Sequence, residues 1–111
     1  MKTYGLVGKN IDYSFSKTYF TEKFKRENIT AEYKNFDLED ISQFPQILKN
    51  HPEVSGLNVT IPYKQEVIPF LDNLSPDAEK IGAVNTIKIE RDQSLTGHNT
   101  DFTGFQESIQ A

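Results

Sequence analysis

Apolar and polar positions along the first half of the chain switch between the spacing of strands and the spacing of helices. Three short stretches have the length and pattern of strands: residues 3–8, 31–36 and 54–59. A helix is predicted between the first two of them, because aromatic residues fall there at helical spacing and Ser16 before them can act as a cap. These aromatic residues are Tyr19, Phe20 and Phe24.

Helical patterns also separate the later strands. Residues 42–49 predict a second helix, in which Pro45 is tolerated because it lies in the first turn, where amide donors have no partner within the helix. A short helical turn is predicted over residues 62–68. Ser75 followed by proline is a cap and first-position signal for another short helix, which should end near Gly82.

The last third of the chain predicts a hairpin and a final helix. Residues 83–90 alternate like a strand, a turn follows, and Leu95 starts a short return strand. Asn99 or Thr100 can cap a final helix that carries three apolar residues on one side: Phe102, Phe105 and Ile109.

Strands that alternate with helices predict an α/β fold with a mostly parallel sheet and helices on both faces. One antiparallel strand or hairpin is expected, and we predict that it lies at an edge of the sheet.

Composition narrows the possible functions. The 111 residues fit one domain, and the net charge of −4, without a basic stripe, argues against binding to nucleic acid. There are no cysteines and only two histidines, His51 and His98, so we expect no metal site. No apolar run approaches the length of a membrane span, and no signal peptide is evident. We therefore expect a cytoplasmic protein without a membrane partner.

Polar side chains cluster in the sequence where predicted strands end. In open α/β sheets, ligands bind beyond the carboxyl ends of the strands. The candidates, which suit a small polyhydroxylated carboxylic acid, are Ser14, Ser16, Asn58, Thr60, Lys64, Asn85, Asn99, Thr100 and Asp101. The sequence does not assign Asn85 to one end of the sheet. Taken singly, each has an ordinary structural explanation, such as a helix cap, a turn residue or a solvated side chain.

Four motifs in order along the chain resemble those of shikimate dehydrogenases. They are Ser14-Phe15-Ser16, the run from Asn58 to Lys64 with Asp72 behind it, the run from Ile81 to Thr86, and the run from Gly97 to Asp101 with Gly104. The resemblance covers the substrate-binding N-terminal domain of that family, with its aminoacid dehydrogenase-like fold. It implies the reversible reduction of 3-dehydroshikimate to shikimate by NADPH, in the pathway to chorismate and the aromatic amino acids.

The resemblance also implies roles for individual residues. Ser14 and Ser16 would hold the substrate carboxylate. The ring hydroxyls would be bound by Thr60, Asn85 and Asp101, with Asn58 supporting them. Lys64 and Asp101 would form the catalytic pair beside the reacting oxygen, where an ammonium next to a carboxylate can stabilise negative charge and deliver a proton.

Two departures from the family pattern stand out. The family has proline, histidine and proline where this chain has Asn10, Tyr13 and Lys17, so the loop that carries the serines is expected to be set differently. The chain also contains no glycine-rich dinucleotide-binding fingerprint. We therefore expect a fragment of a larger protein, with NADP bound by a second domain, that binds substrate without turning it over.

Three alternatives remain open at this point. A quinate/shikimate dehydrogenase that uses NAD would share these pocket motifs. The N-terminal domain of a methylenetetrahydrofolate dehydrogenase also uses a lysine, but it fits the serine pair and the Asn-Thr-Asp run poorly. A stand-alone module that senses a shikimate-like metabolite belongs to a different functional class. We also expect self-association, as a homodimer or a larger assembly, through the final helix or an apolar surface that is left exposed.

Overall fold

Residues 2–11 and 16–100 are described by a computed structural model of the protein. Its elements in chain order are β1 (Lys2–Gly8), α1 (Ser16–Arg26), β2 (Ala31–Asp37), a 3-10 helix (Ile41–Gln43), α2 (Phe44–Asn50), β3 (Val54–Val59), a second 3-10 helix (Ile68–Phe70), β4 (Asn73–Leu74), α3 (Pro76–Ile81), β5 (Thr86–Ile89) and β6 (Leu95–His98). None of the helices in these residues is long and apolar enough to cross a membrane. The predicted final helix lies outside the described residues.

Within the described residues, six strands form one sheet in the order β2-β1-β3-β5-β6-β4. Strand β1 is parallel to both β2 and β3, and β4 is parallel to β6. Strand β5 is antiparallel to β3 and to β6, so it is the one reversed strand in this part of the chain. The predicted fold class, mostly parallel with one antiparallel strand, is confirmed.

The predicted position of the reversed strand is wrong. The hairpin of β5 and β6 was expected at an edge of the sheet, but β5 pairs with β3 and therefore lies inside it. The edge beyond β6 is β4, a two-residue strand that the pattern did not predict. Asp72 anchors this edge, since its carboxylate accepts from the Leu95 amide at 2.7 Å and its own amide donates to the Leu95 carbonyl at 2.9 Å.

The core consists of two apolar clusters. The smaller cluster contains Tyr4 and Leu6 of β1, Tyr33 of β2, and Phe20 and Phe24 of α1. The larger cluster contains Val7, Leu57 and Ile87 from the sheet, with Phe44 of α2 and Ala78 of α3. Side chains alternate between the faces of a strand, so Leu6 and Val7 direct the two clusters to opposite faces of the sheet. The prediction of helices on both faces is confirmed, although Tyr19 of α1 is exposed and not part of the core.

Local capping signals account for several element boundaries. Ser75 accepts from the Ala78 amide as the N-cap of α3, and Gly82 ends that helix with a φ of 77°, as the sequence predicted. The predicted helix over residues 42–49 begins instead as the first 3-10 helix. Asp40 caps this turn, its carboxylate accepting from the Ser42 amide at 2.8 Å while Gln43 closes a capping box.

The predicted helical turn over residues 62–68 is present as a single turn and not as a regular helix. The Val67 amide donates to the Tyr63 carbonyl at 3.0 Å, and a 3-10 helix follows at Ile68–Phe70. Pro69 has no amide hydrogen to donate, so a regular hydrogen-bond ladder cannot continue past Ile68. Tyr63 also anchors the segment by donating its hydroxyl to the buried Leu38 carbonyl, 25 residues earlier in the chain.

Candidate functional site

Polar residues from four strands meet at one end of the sheet. The parallel strands β1, β3 and β6 all end there, at Gly8, Val59 and His98. Because β5 runs in the opposite direction, its first residue lies at this end. Asn85, directly before β5, therefore joins the site: its carbonyl accepts from the Val59 amide at 2.8 Å and its amide donates to the His98 carbonyl at 3.0 Å. The reversal of β5 assigns Asn85 to an end of the sheet, which the sequence did not.

The side chain of Asn85 holds the segment that leads to Asp101. Its oxygen accepts from the Thr100 amide at 2.8 Å, and its amide group donates to the Thr100 carbonyl. The buried hydroxyl of Thr86 donates to the Asn85 oxygen and contacts the Thr100 hydroxyl, both at 3.1 Å. Within residues 2–11 and 16–100, two donors occupy the Asn85 oxygen, and only one of the two side-chain N–H groups of Asn85 has an acceptor, so the other can donate to a ligand. Asp101 itself lies outside the described residues.

The Thr60 and Lys64 backbones are tied to neighbouring strands. The Thr60 amide donates to the Val7 carbonyl at 2.9 Å, and the Val84 amide donates to the Lys64 carbonyl at 2.7 Å. Lys64 is exposed and makes no ion pair with any residue of the described ranges 2–11 and 16–100. The exposed ammonium of Lys64 therefore lies on a segment whose backbone is hydrogen-bonded to Val84, the residue before Asn85.

Asn58 and Ser16 are connected through a residue that the sequence did not suggest. Tyr33 is buried and donates its hydroxyl to the Asn58 side-chain oxygen at 2.7 Å. Burial raises the pKa of Tyr33 well above its usual range, and a hydrogen bond from Ser16 opposes this shift. Ser16 is the first residue of α1, and Ser14, its predicted partner, lies outside the described residues.

Asp37 is the last residue of β2. It is exposed, but it also holds the loop after β1, since its carboxylate accepts from the Asn10 amide at 3.0 Å and the Ile11 amide at 3.3 Å. Asn10 has a φ of 57°, in the left-handed region, which a proline ring cannot adopt. The expected change in the loop is therefore visible at Asn10, the position where the family pattern has proline.

The described part of the site contains hydroxyls, amides and one exposed ammonium. Such groups can hydrogen-bond the hydroxyls and the carboxylate of a small ligand, and the ammonium can also donate a proton. Among the described residues, no group of three or more His, Asp or Glu side chains could hold a metal ion.

Comparisons with known proteins agree on one family. The family described as shikimate dehydrogenase substrate binding domain matches residues 6–87. Shikimate dehydrogenase (NADP(+)) of Clostridium botulinum strain Hall is 43% identical over 112 residues, an alignment that covers 99% of this chain and 43% of that protein. The chain thus spans less than half the length of this relative.

Two solved structures are similar in fold as well as in sequence. Shikimate dehydrogenase 1 from Peptoclostridium difficile superposes with a TM-score of 0.83 at 39% identity, covering 99% of this chain and 41% of that one. Shikimate 5-dehydrogenase from Thermus thermophilus, solved in complex with NADP(H) and shikimate, gives a TM-score of 0.81 at 30% identity, covering 99% of this chain and 42% of that one.

Proposed function

The chain belongs to the family of shikimate dehydrogenase substrate-binding domains, and from this premise we propose that it binds shikimate and 3-dehydroshikimate at the end of its sheet. The observation that carries the proposal is the convergence of Asn58, Thr60, Lys64 and Asn85 around the ends of β3, β5 and β6. These residues come from two separate sequence motifs, and the reversed direction of β5 explains how they share one site.

In this proposal, the described groups have roles that their surroundings allow, and Ser14 and Asp101 have the roles that the family resemblance implies. Ser14 and Ser16 receive the carboxylate, and Thr60 and Asn85 bind ring hydroxyls together with Asp101. Asn85 acts as a donor to the ligand, because its oxygen is already occupied by Thr100 and Thr86. Asn58 supports this group through its contact with Tyr33.

We propose that Lys64 and Asp101 form the catalytic pair. When a ketone is reduced, negative charge develops on its oxygen, and a lysine ammonium beside it can stabilise the charge and deliver a proton. The neighbouring carboxylate orients the ammonium. NADP supplies the hydride in this family's reaction, but the chain has no glycine-rich fingerprint to hold a dinucleotide. We assign NADP binding to a Rossmann domain outside this chain, and we expect the chain alone to bind substrate without turnover.

NMR titration of this chain with shikimate tests the binding proposal. We expect saturable shifts of the backbone amides of Thr60 and Asn85, and little change at Gln93 in the turn between β5 and β6. Lys64→Ala should weaken binding about tenfold or more, since hydrogen bonds to a charged group are worth about 1.5–3 kcal/mol. Lys25→Ala removes an exposed lysine from α1 and serves as the matched control. A flat titration of the unaltered chain would refute the proposal.

The catalytic assignment needs a separate measurement. In a complete shikimate dehydrogenase that contains this domain, Lys64→Ala should lower kcat far more than it raises KM, because the lysine acts mainly in the transition state. An unchanged kcat would remove Lys64 from the catalytic pair.

A second candidate function is a metabolite-binding module that works without a cofactor. The two candidates differ in one measurement, shikimate oxidation with NADP or NAD by the longest natural protein that contains this chain. Turnover supports the dehydrogenase, and the rates with NADP and with NAD identify the preferred nucleotide. Binding of shikimate without turnover supports the metabolite-binding module.

Self-association through an open surface is also part of the proposal. The face of β3 and β5 opposite the larger core cluster forms a concave surface lined by Tyr4, Gly56, Thr86 and Lys88. Light scattering over a range of concentrations tests this self-association. We expect the mass to increase with concentration, and a constant monomeric mass would count against the proposal.

We propose a cytoplasmic location.

A further inference from the structure

Tyr33 lies at the centre of the smaller core cluster with its polar end at the candidate site. Only 2% of the residue is exposed, and its ring stacks on Phe20 with centroids 4.9 Å apart and planes inclined by 21°. Tyr33 is also the register partner of Tyr4 across β1 and β2. The packing holds the ring, so the hydroxyl at its end has a defined place.

That hydroxyl joins two elements that are far apart in the sequence. It donates to the Asn58 side-chain oxygen at 2.7 Å and accepts from Ser16 at the start of α1. Because the Tyr33 hydroxyl donates, the oxygen of the Asn58 side-chain amide must face the tyrosine. The N–H groups of Asn58 are then directed away from Tyr33 and can donate to a ligand oxygen.

We propose that Tyr33 is a positioning residue, which fixes the Asn58 amide relative to Ser16 at the start of α1, so that the Asn58 N–H groups can donate to a ligand bound there. This inference rests on the proposed function, since it takes shikimate as the ligand. It adds to that function a residue that is not itself one of the predicted substrate contacts. A donor that is held in one orientation before binding loses less conformational freedom when the ligand arrives.

The Tyr33→Phe variant removes the connection and keeps the ring. Phenylalanine retains the stacking on Phe20, while Asn58 loses the donor that fixes its orientation. We expect shikimate to bind about 3- to 30-fold more weakly, the size of effect that follows from losing one or two neutral hydrogen-bond contributions. Tyr4→Phe is the matched control, because it removes a hydroxyl from the register partner in the same cluster, and its binding should stay within about twofold of the unaltered chain.

Two further readouts separate positioning from general destabilisation. The first is the side-chain NH₂ resonance of Asn58 in the absence of ligand, which Tyr33→Phe should shift or broaden and Tyr4→Phe should not. The second is a double-mutant cycle for shikimate binding, in which Tyr33→Phe should have little further effect in an Asn58→Ala background. A mutation that only loosened the fold would weaken binding equally in both backgrounds.

Ser16→Ala keeps the test valid if Tyr33→Phe fails to fold. If Tyr33 connects the two residues, Ser16→Ala should also shift the Asn58 NH₂ resonance, whereas Thr18→Ala on the exposed side of α1 should not. An Asn58 resonance that neither variant changes would overturn the inference, as would unaltered shikimate binding by a folded Tyr33→Phe chain. If the unaltered chain does not bind shikimate but the Asn58 resonance still responds, the proposed function fails and the connection through Tyr33 stands without its ligand.

Discussion

Gly8 ends β1 at the point where the chain enters the candidate site, and replacing it with alanine gives a sharp test of how closely that region is packed. A Cβ atom added at Gly8 would lie 2.6 Å from the Thr60 Cγ2 atom and 2.6 Å from the Ile11 Cγ2 atom. Both distances are well below van der Waals contact. Both methyl groups belong to β-branched side chains, which have restricted χ1 rotation and cannot easily move away.

The expected loss follows from overpacking a well-packed site. Inserting one methyl group into such a site costs typically about 1–3 kcal/mol. Gly8 is buried, and its carbonyl accepts from the Leu38 amide at 2.8 Å, so the strand itself is not free to shift. We therefore expect Gly8→Ala to lower the free energy of unfolding by about 2 kcal/mol. We also expect the clash to strain Thr60 and shift its hydroxyl, which should weaken shikimate binding.

Chemical denaturation of Gly8→Ala, Thr60→Ser and the double variant measures this effect. Thr60→Ser removes the methyl group that the new Cβ would meet and keeps the hydroxyl, so it should recover about 1 kcal/mol of the loss. The Ile11 contact remains, so recovery should be incomplete. The reasoning is refuted if Gly8→Ala leaves the free energy of unfolding unchanged, or if the two single effects add within about 0.5 kcal/mol.

Three further predictions concern other parts of the fold. Tyr63→Phe should lower the free energy of unfolding by about 1–3 kcal/mol, because it leaves the buried Leu38 carbonyl without its donor; denaturation with no loss would contradict this. Gly82→Ala should destabilise the chain by about 1 kcal/mol, since its φ of 77° is strained for alanine although the space is open; a gain in melting temperature would count against it. The pKa of Asp40 is lowered, first by the hydrogen bond from the Ser42 amide, so its stabilisation is present above pH 3.8 and is lost as the pH falls further. Acid titration of Asp40→Asn, which keeps a capping oxygen, should lack this component, and an unchanged acid profile would exclude it.

Predictions that depend on neighbouring residues were the most accurate. Strand β3 has the bounds that the pattern predicted, and α3 begins after Ser75 and ends at Gly82, because a cap and a left-handed glycine act within one helical turn. The segment after Pro62 forms its predicted helical turn, but the anchoring of this turn depends on Tyr63 and the distant Leu38 carbonyl, which no local pattern reveals.

For the candidate site, the sequence supplied most of the side chains but not their arrangement. Lys64, Thr60 and Asn58 could be named because they lie at or after the end of an apolar strand, and ligands bind beyond the carboxyl ends of the strands in open α/β sheets. Tyr33 could not be named, because a tyrosine in an alternating strand looks like any other core residue. Its hydrogen bonds to Ser16 and Asn58 depend on the pairing of β2, β1 and β3.

The sequence by itself determined most of the elements, the fold class and the family resemblance, because periodicity, capping and motif order are all properties of the chain read along its length. Only the tertiary structure decided that β5 lies inside the sheet in the reversed direction, and this placed Asn85 beside Val59 and His98. Strand pairing is a contact between residues remote in sequence, set by how whole faces bury their apolar side chains. The site therefore depends on a pairing that no local stretch of the chain specifies.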